Sequence, residues 1–412
     1  MIRRALQNTG WLMGARGINA VLSLVYLALA TRTLGLEGFG QFVIAFTFAQ
    51  LVVGFTSFQT WQAIVHWGQE ADGRRQATGF ALALDALTIT GGLLAAALIL
   101  SLAGDWLPIA PELRAETFAF TAVSLLAIRS TPTGLLRLHD RYARAAAADS
   151  TTSIMRAVGA AVVAATNPTI EAFLLVWAIA ELATAAMYWL LAARTEPIHW
   201  RSFGLRRLPA QHAGAWRFVI GTSLTGMLAI ASRQLLVLLV GGFGGAALAG
   251  IYRVAAQLGE GLLKLAQALL RAVYPELVRN PDNARVLARR ITRIAVVTGV
   301  LVVGLGLLAG EWIITVIAGR EYLAAYWPMI VLAAAASLEL AGASLEALLV
   351  AHGRAITNFV LRAVPTLAGL IALPWLIDWL GATGAALMVL AASAVTVASF
   401  VIATRQPENI SE

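Results

Sequence analysis

Apolar stretches of about 20 or more residues recur from one end of the sequence to the other, and they restrict what the chain can fold into. A helix needs about 20 consecutive, mostly apolar residues to cross the hydrocarbon core of a membrane. Twelve membrane spans are predicted, at 10–33, 38–67, 77–103, 115–135, 145–165, 171–193, 215–240, 248–274, 291–309, 326–350, 354–377 and 380–403. A transmembrane β-barrel would instead alternate apolar and polar residues in segments of about ten, and these runs do not. The sequence therefore predicts an all-α polytopic membrane protein.

The distribution of charge supports this prediction and orients the chain. Only 13% of the 412 residues are charged, whereas soluble domains have about a quarter. The net charge of +8 does not indicate nucleic-acid binding, because the arginines cluster in the connections on one side of the spans; the other side holds only Arg32, Arg114 and Arg320. Basic connections stay in the cytoplasm and contact anionic membrane lipids. We therefore expect a multi-pass protein of the cytoplasmic (inner) membrane with both termini in the cytoplasm.

The connections between the spans are too short to hold a catalytic domain. The longest predicted inner connection follows span six, so we expect an N-terminal six-helix half at 1–193, a cytoplasmic linker at 194–214 and a C-terminal six-helix half at 215–412. The sequence has no cysteine, which excludes disulfides and thiol catalysis. It also has no metal-ligand cluster, nucleophile elbow or phosphate-binding glycine loop. We expect a protein that is not an enzyme and has no metal or organic cofactor.

Two glycine-rich turns indicate that the two halves are related. One is "TRTLGLEGFGQF" (31–42), between spans one and two, and the other is "VLLVGGFGGAALAGIY" (237–252), between spans seven and eight. Residues 40–42 align with 250–252 at an offset of 210 positions, and Gly35 is then expected to align with Gly241 across a gap of four residues. Repeated halves commonly place the substrate path of a transporter between them. The repeat thus predicts a central polar cavity.

A stripe of polar and charged residues runs along span eight. Spacings of 4, 3, 4, 3 and 4 place six residues on one helical face; they are Arg253, Gln257, Glu260, Lys264, Gln267 and Arg271. At 1.5 Å per residue the stripe is about 27 Å long, close to the thickness of the hydrocarbon core. Facing lipid, each charge would cost several kcal/mol, so the stripe must face protein or water. A static network between neighbouring helices is the alternative, but six residues across the whole membrane favour a wet central cavity.

Polar residues of other spans are expected to face the same cavity. They are Arg16 and Asn19 on span one, Gln50 on span two and Arg233 on span seven. Glu339 and Glu346, seven residues apart on span ten, are candidates for carrying a proton or Na⁺ during transport, with static pairing as an equal alternative. For the other ionisable residues within spans static pairing is favoured, for instance between Asp149 and a nearby arginine.

Residues 8–46 resemble the N-terminal signature of polysaccharide flippases of the Wzx type. These flippases belong to the superfamily that also contains the MATE exporters and the lipid II flippase. The shared pattern is an Arg-x-Leu-Gly turn followed by Gly-x-Phe; its residues here are Arg32, Leu34, Gly35, Gly40 and Phe42. "ITVIAGREYLAAYWPMIVLA" (314–333) is similar to the junction between the ninth and tenth helices of the family. The chain departs from the family in having twelve predicted spans rather than the fourteen of some relatives, and its charged stripe matches no family motif.

The resemblance implies a flippase that moves a polyprenyl-diphosphate-linked oligosaccharide from the inner to the outer leaflet for surface polysaccharide or lipopolysaccharide synthesis. The cavity arginines and Lys264 would bind the diphosphate, its amides would bind sugar hydroxyls, and Trp61 is a candidate for stacking on a sugar. Rocking of the halves would provide alternating access, and glycosyltransferases or a polymerase of the same pathway are possible partners. Two alternatives stay open. One is a MATE-like, cation-coupled exporter, and the other is a scaffold of a glycan-assembly complex that transports nothing.

Overall fold

The chain is helical almost throughout. The computed structural model describes residues 2–198, 200–277, 284–351 and 355–405, and these ranges contain α-helices, short 3₁₀ turns and no β-strand. The helices are α1 (Ile2–Thr56), α2 (Thr60–Trp67), α3 (Ala71–Leu102), α4 (Arg114–Leu126), α5 (Ser130–Leu138), α6 (Tyr142–Thr166), α7 (Ile170–Ala193), α8 (Arg207–Gln211), α9 (Ala215–Leu277), α10 (Ala284–Ile317), α11 (Tyr326–Ala351), α12 (Ala355–Leu380) and α13 (Ala382–Arg405).

Several of these helices have the length and apolarity of membrane spans. Within the described ranges, nine helical segments are long and apolar enough to cross a membrane. One of them, 19–67, covers most of predicted spans one and two. The 25 residues of α6 have the length of a span but include three ionisable side chains, Arg144, Asp149 and Arg156. The prediction of an all-α polytopic membrane protein is confirmed, whereas the number of twelve spans stays a prediction.

A single glycine folds α1 back on itself. Gly35 adopts φ 68° and ψ −174°, a combination that is essentially restricted to glycine. Tyr26 and Phe42 would be about 24 Å apart along an unbroken helix, yet both rings contact Trp177, with centroid distances of 5.2 and 5.1 Å. The residues on either side of Gly35 are therefore two helices joined by a tight turn, as the sequence predicts for spans one and two.

The same backbone conformation recurs in α9. Gly245 has φ 82° and ψ 169°, and it lies 210 positions after Gly35, the offset that also relates 40–42 to 250–252. The expected alignment of Gly35 with Gly241 across a gap of four residues is therefore wrong, because the residue in the equivalent conformation is Gly245. The repeat extends through both turns without a gap.

The chain divides into two compact units, Met1–Gly242 and Phe243–Glu412. In the first unit the start of α9 packs on α2 and the residues before it. The backbone N–H of Gln59 donates to Ser223 Oγ at 3.1 Å, and the rings of Trp67 and Phe218 are 5.1 Å apart. The domain boundaries at 193 and 215 that the sequence suggests stay a prediction.

In the second unit, small residues let neighbouring helices approach closely. Gly299 of α10 lies against Ser337 of α11, and Gly342 of α11 lies against Val397 of α13. Such contacts are typical of helix packing in membranes, where van der Waals contact replaces the hydrophobic effect as the source of association.

Two predicted spans of the first unit are interrupted at the level of one buried carboxylate. Span two breaks between α1 and α2, and span four breaks between α4 and α5. Asp85 of α3, 6% exposed, accepts hydrogen bonds from the hydroxyls of Thr60 at 3.0 Å and Thr131 at 2.6 Å. It also accepts from the backbone N–H of Thr131 at 3.3 Å. The carboxylate thus lies at the first turns of α2 and α5, where backbone N–H groups lack helical partners and favour negative charge.

We expect Gly35→Ala and Gly245→Ala to destabilise the protein by about 1–3 kcal/mol each, because a side chain at these φ/ψ values is strained. Thermal unfolding of the purified protein in detergent should show a lower Tm for both variants. Gly91→Ala is the control, because Gly91 lies inside α3 with no atom within 4 Å of an added Cβ; its Tm should stay the same or rise slightly. Equal Tm values for all three variants would contradict the assignment of the turns.

Asp85→Ala should lower the free energy of unfolding by about 3 kcal/mol, because it leaves the buried donors of Thr60 and Thr131 without an acceptor. Asp85→Asn should cost less, since the amide oxygen still accepts. The control is Asp105→Ala, whose carboxylate is 89% exposed in its ion pair with Arg114 and should contribute little to stability. The measurement is unfolding by denaturant in detergent, and a cost for Asp85→Ala no larger than that of the control would refute this role.

Candidate functional site

Two arginines and one glutamate form a charged cluster inside the first unit, with one residue from α6, one from α7 and one from the connection before α5. Glu181 of α7 accepts a hydrogen bond on each carboxylate oxygen. Oε2 accepts from Nη1 of Arg129 at 2.8 Å, and Oε1 accepts from Nη2 of Arg156 at 2.7 Å. Arg129 immediately precedes α5, and Arg156 lies in α6. We call these three residues the arginine–glutamate cluster.

The register of α6 and α7 explains why Arg156 and Glu181 meet. Residues 167–169 connect the two helices, and Thr169 Oγ1 caps α7 by accepting from the N–H of Ala172 at 3.3 Å. Arg156 lies eleven positions before Asn167, and Glu181 lies eleven positions after Ile170. Each is therefore about 16 Å along its helix from the connection, which places the pair near the middle of both helices.

The same register pairs other polar residues of α6 and α7. Tyr188 Oη donates to Asp149 Oδ1 at 2.8 Å, and the hydroxyls of Thr152 and Thr184 are 2.7 Å apart. The expected static pairing of Asp149 with an arginine is therefore corrected: this carboxylate accepts its hydrogen bond from a tyrosine hydroxyl. For Arg156, the expected static pairing is what the structure has.

The arginine–glutamate cluster carries an excess of one positive charge, since two guanidinium groups share one carboxylate. The side chains of Glu181 and Arg156 are 10% and 12% exposed, whereas that of Arg129 is 32% exposed. The guanidinium of Arg156 also lies 5.4 Å from the ring centroid of Phe46 and 5.3 Å from that of Trp177, a distance at which the ring faces stabilise a cation. Its Nε is buried and has no hydrogen-bond partner within the described part of the chain.

This arrangement suits the binding of an anion. Glu181 and the aromatic rings hold Arg156 in place, while Arg129 keeps a third of its surface accessible beside it. A net charge in the middle of the hydrocarbon layer is costly unless water or a counter-ion compensates it. Chemically, the cluster offers positive charge and planar N–H donors, which match the oxygens of a phosphate or carboxylate.

The residues predicted to line the cavity are distributed over both compact units. Among the described side chains, the partly buried ones are Asn19 and Gln50 in α1 and Arg253 and Gln257 in α9. The exposed ones are Arg233 and Glu260, both in α9. Asn19 Oδ1 is buried without a hydrogen-bond partner within those ranges. The side chains of Arg16, Lys264 and Gln267 lie outside the described part of the structure. The helix that carries the stripe continues from Gly245 to Leu277. That the stripe faces a central cavity stays a prediction.

The two glutamates suggested for ion coupling each have partners on neighbouring helices. Ser393 Oγ of α13 donates to Glu339 at 2.8 Å. Arg362 Nη1 and Asn358 Nδ2 of α12 donate to Glu346 at 3.2 and 3.3 Å. Their role in proton or Na⁺ coupling stays a prediction.

Trp61 contacts an arginine in the described structure. The guanidinium of Arg137 lies 4.0 Å from the centroid of its ring, and its indole N–H donates to Gln59 Oε1 at 2.8 Å. One face of the ring is thus covered, and stacking of a sugar on Trp61 stays a prediction. In the described ranges no group of three or more His, Asp or Glu residues is placed to hold a metal ion.

Asp85, Arg129, Arg156 and Glu181 are among the other ionisable residues within the predicted spans, for which the sequence favours static pairing without indicating the partners. One signal that could have found part of the cluster is the equal distance of Arg156 and Glu181 from the connection at 167–169. The contribution of Arg129 could not be found in this way, because it depends on the interruption of predicted span four.

Comparisons with known proteins agree with this architecture. The profile of the family described as "Polysaccharide biosynthesis protein" matches residues 5–280. The inner membrane protein YghQ of Escherichia coli (strain K12) is 29% identical over 346 aligned residues, covering 79% of this chain and 95% of that protein.

Solved structures of transporters share the fold. The lipid II flippase MurJ in its inward closed conformation aligns with a TM-score of 0.74 and 13% identity, covering 96% of this chain and 87% of that chain. An inward-facing MATE multidrug transporter of the MOP superfamily aligns with a TM-score of 0.68 and 16% identity, covering 93% and 94%. At these identities the similarity establishes the fold, and the family match covers more than half of the chain. The chain therefore belongs to the polysaccharide biosynthesis protein family, and it is a multi-pass membrane protein that shares the fold of these transporters.

Proposed function

We propose that this protein is a flippase that moves a polyprenyl-diphosphate-linked oligosaccharide from the inner to the outer leaflet of the cytoplasmic membrane, supplying surface polysaccharide synthesis. The family match and the transporter fold support this proposal. The observation that carries it is the net positive charge of the arginine–glutamate cluster, buried in the middle of two membrane-length helices.

The chemistry of the cargo fits this charge. A diphosphate is anionic and cannot cross the hydrocarbon layer without compensation of its charge. Guanidinium groups bind phosphate oxygens through paired N–H donors, and Arg129 is the accessible member of the cluster. The glycan needs hydrogen bonds, which the amides of Asn19, Gln50 and Gln257 are suited to donate and accept. The polyprenyl tail can remain in the surrounding lipid.

Alternating access is the proposed mechanism, with the predicted cavity residues of spans one, seven and eight as a second cationic surface for the headgroup. In this proposal Arg16, Arg233, Arg253 and Lys264 contact the diphosphate or acidic sugars, and Gln267 and Glu260 contact hydroxyls. The proposal includes coupling of transport to H⁺ or Na⁺ through Glu339 and Glu346. It also includes cytoplasmic termini and association with glycosyltransferases or a polymerase.

An exporter of organic cations is a weaker candidate. Such a protein needs acidic or aromatic groups to attract its cargo, whereas the cluster at the centre of the first unit has the opposite sign. A scaffold without transport would have no use for an excess cation at this depth.

The cargo is tested by deleting the gene in its native host and measuring polyprenyl-diphosphate-linked glycans by mass spectrometry. A flippase defect should accumulate the complete lipid-linked oligosaccharide while the surface polymer disappears. Unchanged lipid-linked pools together with new sensitivity to cationic drugs would instead identify an exporter. Unchanged pools without such sensitivity would favour the scaffold.

Charge variants of the arginine–glutamate cluster separate anion binding from a structural role. Arg156→Gln leaves Arg129 and Glu181 as a neutral pair, so we expect transport to fall about tenfold or more with little loss of stability. The double variant Arg156→Gln/Glu181→Gln restores the excess positive charge through Arg129 and should recover part of the transport.

If the cluster only stabilises the fold, we expect the reverse order of transport activity for these two variants. The neutral pair of Arg156→Gln would then be well tolerated, and the double variant, with its uncompensated buried charge, would be the more damaged protein. Complementation of the deletion strain, with lipid-linked glycan as the readout and Tm of the purified variants alongside, distinguishes the two. The control is Arg114→Gln, which removes the partner of the 89% exposed carboxylate of Asp105 and should complement fully.

The stripe is tested in the same strain. Arg253→Ala and Lys264→Ala should each reduce the surface polymer and raise the lipid-linked glycan, because each removes a cation proposed to contact the headgroup. Arg217→Ala, an exposed arginine near the start of α9, is the matched control and should behave as wild type. Full complementation by both stripe variants would exclude the stripe from the transport path.

A further inference from the structure

A groove of about 550 Å³ lies between α3 and the connection that precedes α9. Its α3 wall includes Ala86, Leu87 and Thr90, and its other wall includes Phe203, Arg206 and Arg207. Leu87 and Phe203 are exposed, at 46% and 51%. The wall is therefore apolar along α3 and basic at the end formed by the connection.

Close backbone contact fixes the connection against α3. Gly79 of α3 accepts a hydrogen bond on its carbonyl from the N–H of Gly204 at 3.3 Å. A Cβ at position 79 would collide with the carbonyl oxygen of Ser202, so only glycine allows this approach. Gly204 itself has φ 152°, and Leu208 of α8 is fully buried against Ala77 and Phe80. The groove is consequently preformed rather than dependent on a mobile segment.

The dimensions of the groove match one leaflet of a bilayer. From Gly79, where the connection is attached, to Thr90 the helix rises about 16 Å, and half of a hydrocarbon core is about 15 Å. An exposed apolar surface of this length matches the acyl-chain region of one leaflet. Trp200, 65% exposed, lies on the connection, and aromatic residues are enriched at membrane interfaces.

The charge of the groove selects the headgroup. Residues 197–215 contain no aspartate or glutamate, while Arg206 and Arg207 are exposed at the basic end. This end faces the side that the arginine distribution predicts to be cytoplasmic, where anionic lipids are present. Two guanidinium groups beside an apolar wall combine the features that bind a phosphate and a hydrocarbon chain.

We propose that this groove binds one anionic glycerophospholipid, with its phosphate on Arg206 and Arg207 and an acyl chain along Ala86 and Leu87. The lipid is a separate ligand from the transported cargo, and this inference does not rest on the proposed function. A bound lipid would hold the connection between the first six predicted spans and α9 at a fixed depth in the membrane.

Native mass spectrometry of the full-length protein in detergent tests the site. The probes are phosphatidylglycerol and, as the neutral comparison, phosphatidylcholine, each titrated into wild type and variants. Wild type should prefer phosphatidylglycerol. Arg206→Gln/Arg207→Gln should bind it about 30-fold more weakly, at about 1 kcal/mol per basic residue. Ala86→Phe, which fills the groove and keeps both arginines, should also weaken binding.

The matched control is Arg141→Gln/Arg144→Gln, which removes two exposed arginines predicted to lie on the same side but outside the groove. It should bind phosphatidylglycerol as wild type does. An equal loss in this control, or unchanged binding by the Arg206/Arg207 variant, would reduce the effect to general surface charge and overturn the proposal. A third outcome would also overturn the proposal. If a polyprenyl phosphate binds more tightly than phosphatidylglycerol, and displaces it from wild type but not from the Ala86→Phe variant, the groove belongs to the carrier lipid.

Discussion

Within the hydrocarbon layer there is no water to satisfy a buried polar group, so a carboxylate buried there must find its partners in neighbouring segments of the protein. Two carboxylates of the first unit meet this requirement in different ways. Asp85 accepts neutral donors from Thr60 and Thr131, and its charge thereby stabilises the first turns of two interrupted spans. Glu181 instead accepts two guanidinium groups. The first solution connects helices, and the second leaves a positive charge at the centre of the unit.

In the proposed function, that excess charge is what binds the cargo. Buried cations are costly in a membrane and persist where they serve a path or a ligand. The aromatic faces of Phe46 and Trp177 reduce the cost for Arg156, whereas Arg129 stays partly accessible beside it. Our proposal of an anionic, lipid-linked headgroup as the cargo follows from this centre together with membership of the polysaccharide biosynthesis family. The groove beside Arg206 and Arg207 adds a second phosphate-binding surface, at the edge of the membrane rather than in its middle.

The glycine turns show how a repeat can persist in conformation when little of it persists in sequence. Gly35 and Gly245 share a backbone conformation that other residues rarely adopt, so the constraint survives at these positions while the flanking residues diverge. Several glycines surround the second turn, which makes an alignment of Gly35 with Gly241 plausible by residue type. The backbone angles select Gly245, which also keeps the offset of 210 positions.

The sequence by itself determined the properties that depend on local chemistry. Long apolar runs define membrane helices, glycines at 35 and 245 permit the turns, and residues 8–46 carry the family resemblance. It did not determine the interruptions of spans two and four, the partner of Asp149, or the meeting of Arg129 with Glu181. Hydropathy sets the length of a span but not which helix lies beside it or how each helix is rotated. A charge within a span signals that a partner is needed, and only the packing of α3, α5, α6 and α7 decided which residue supplies it.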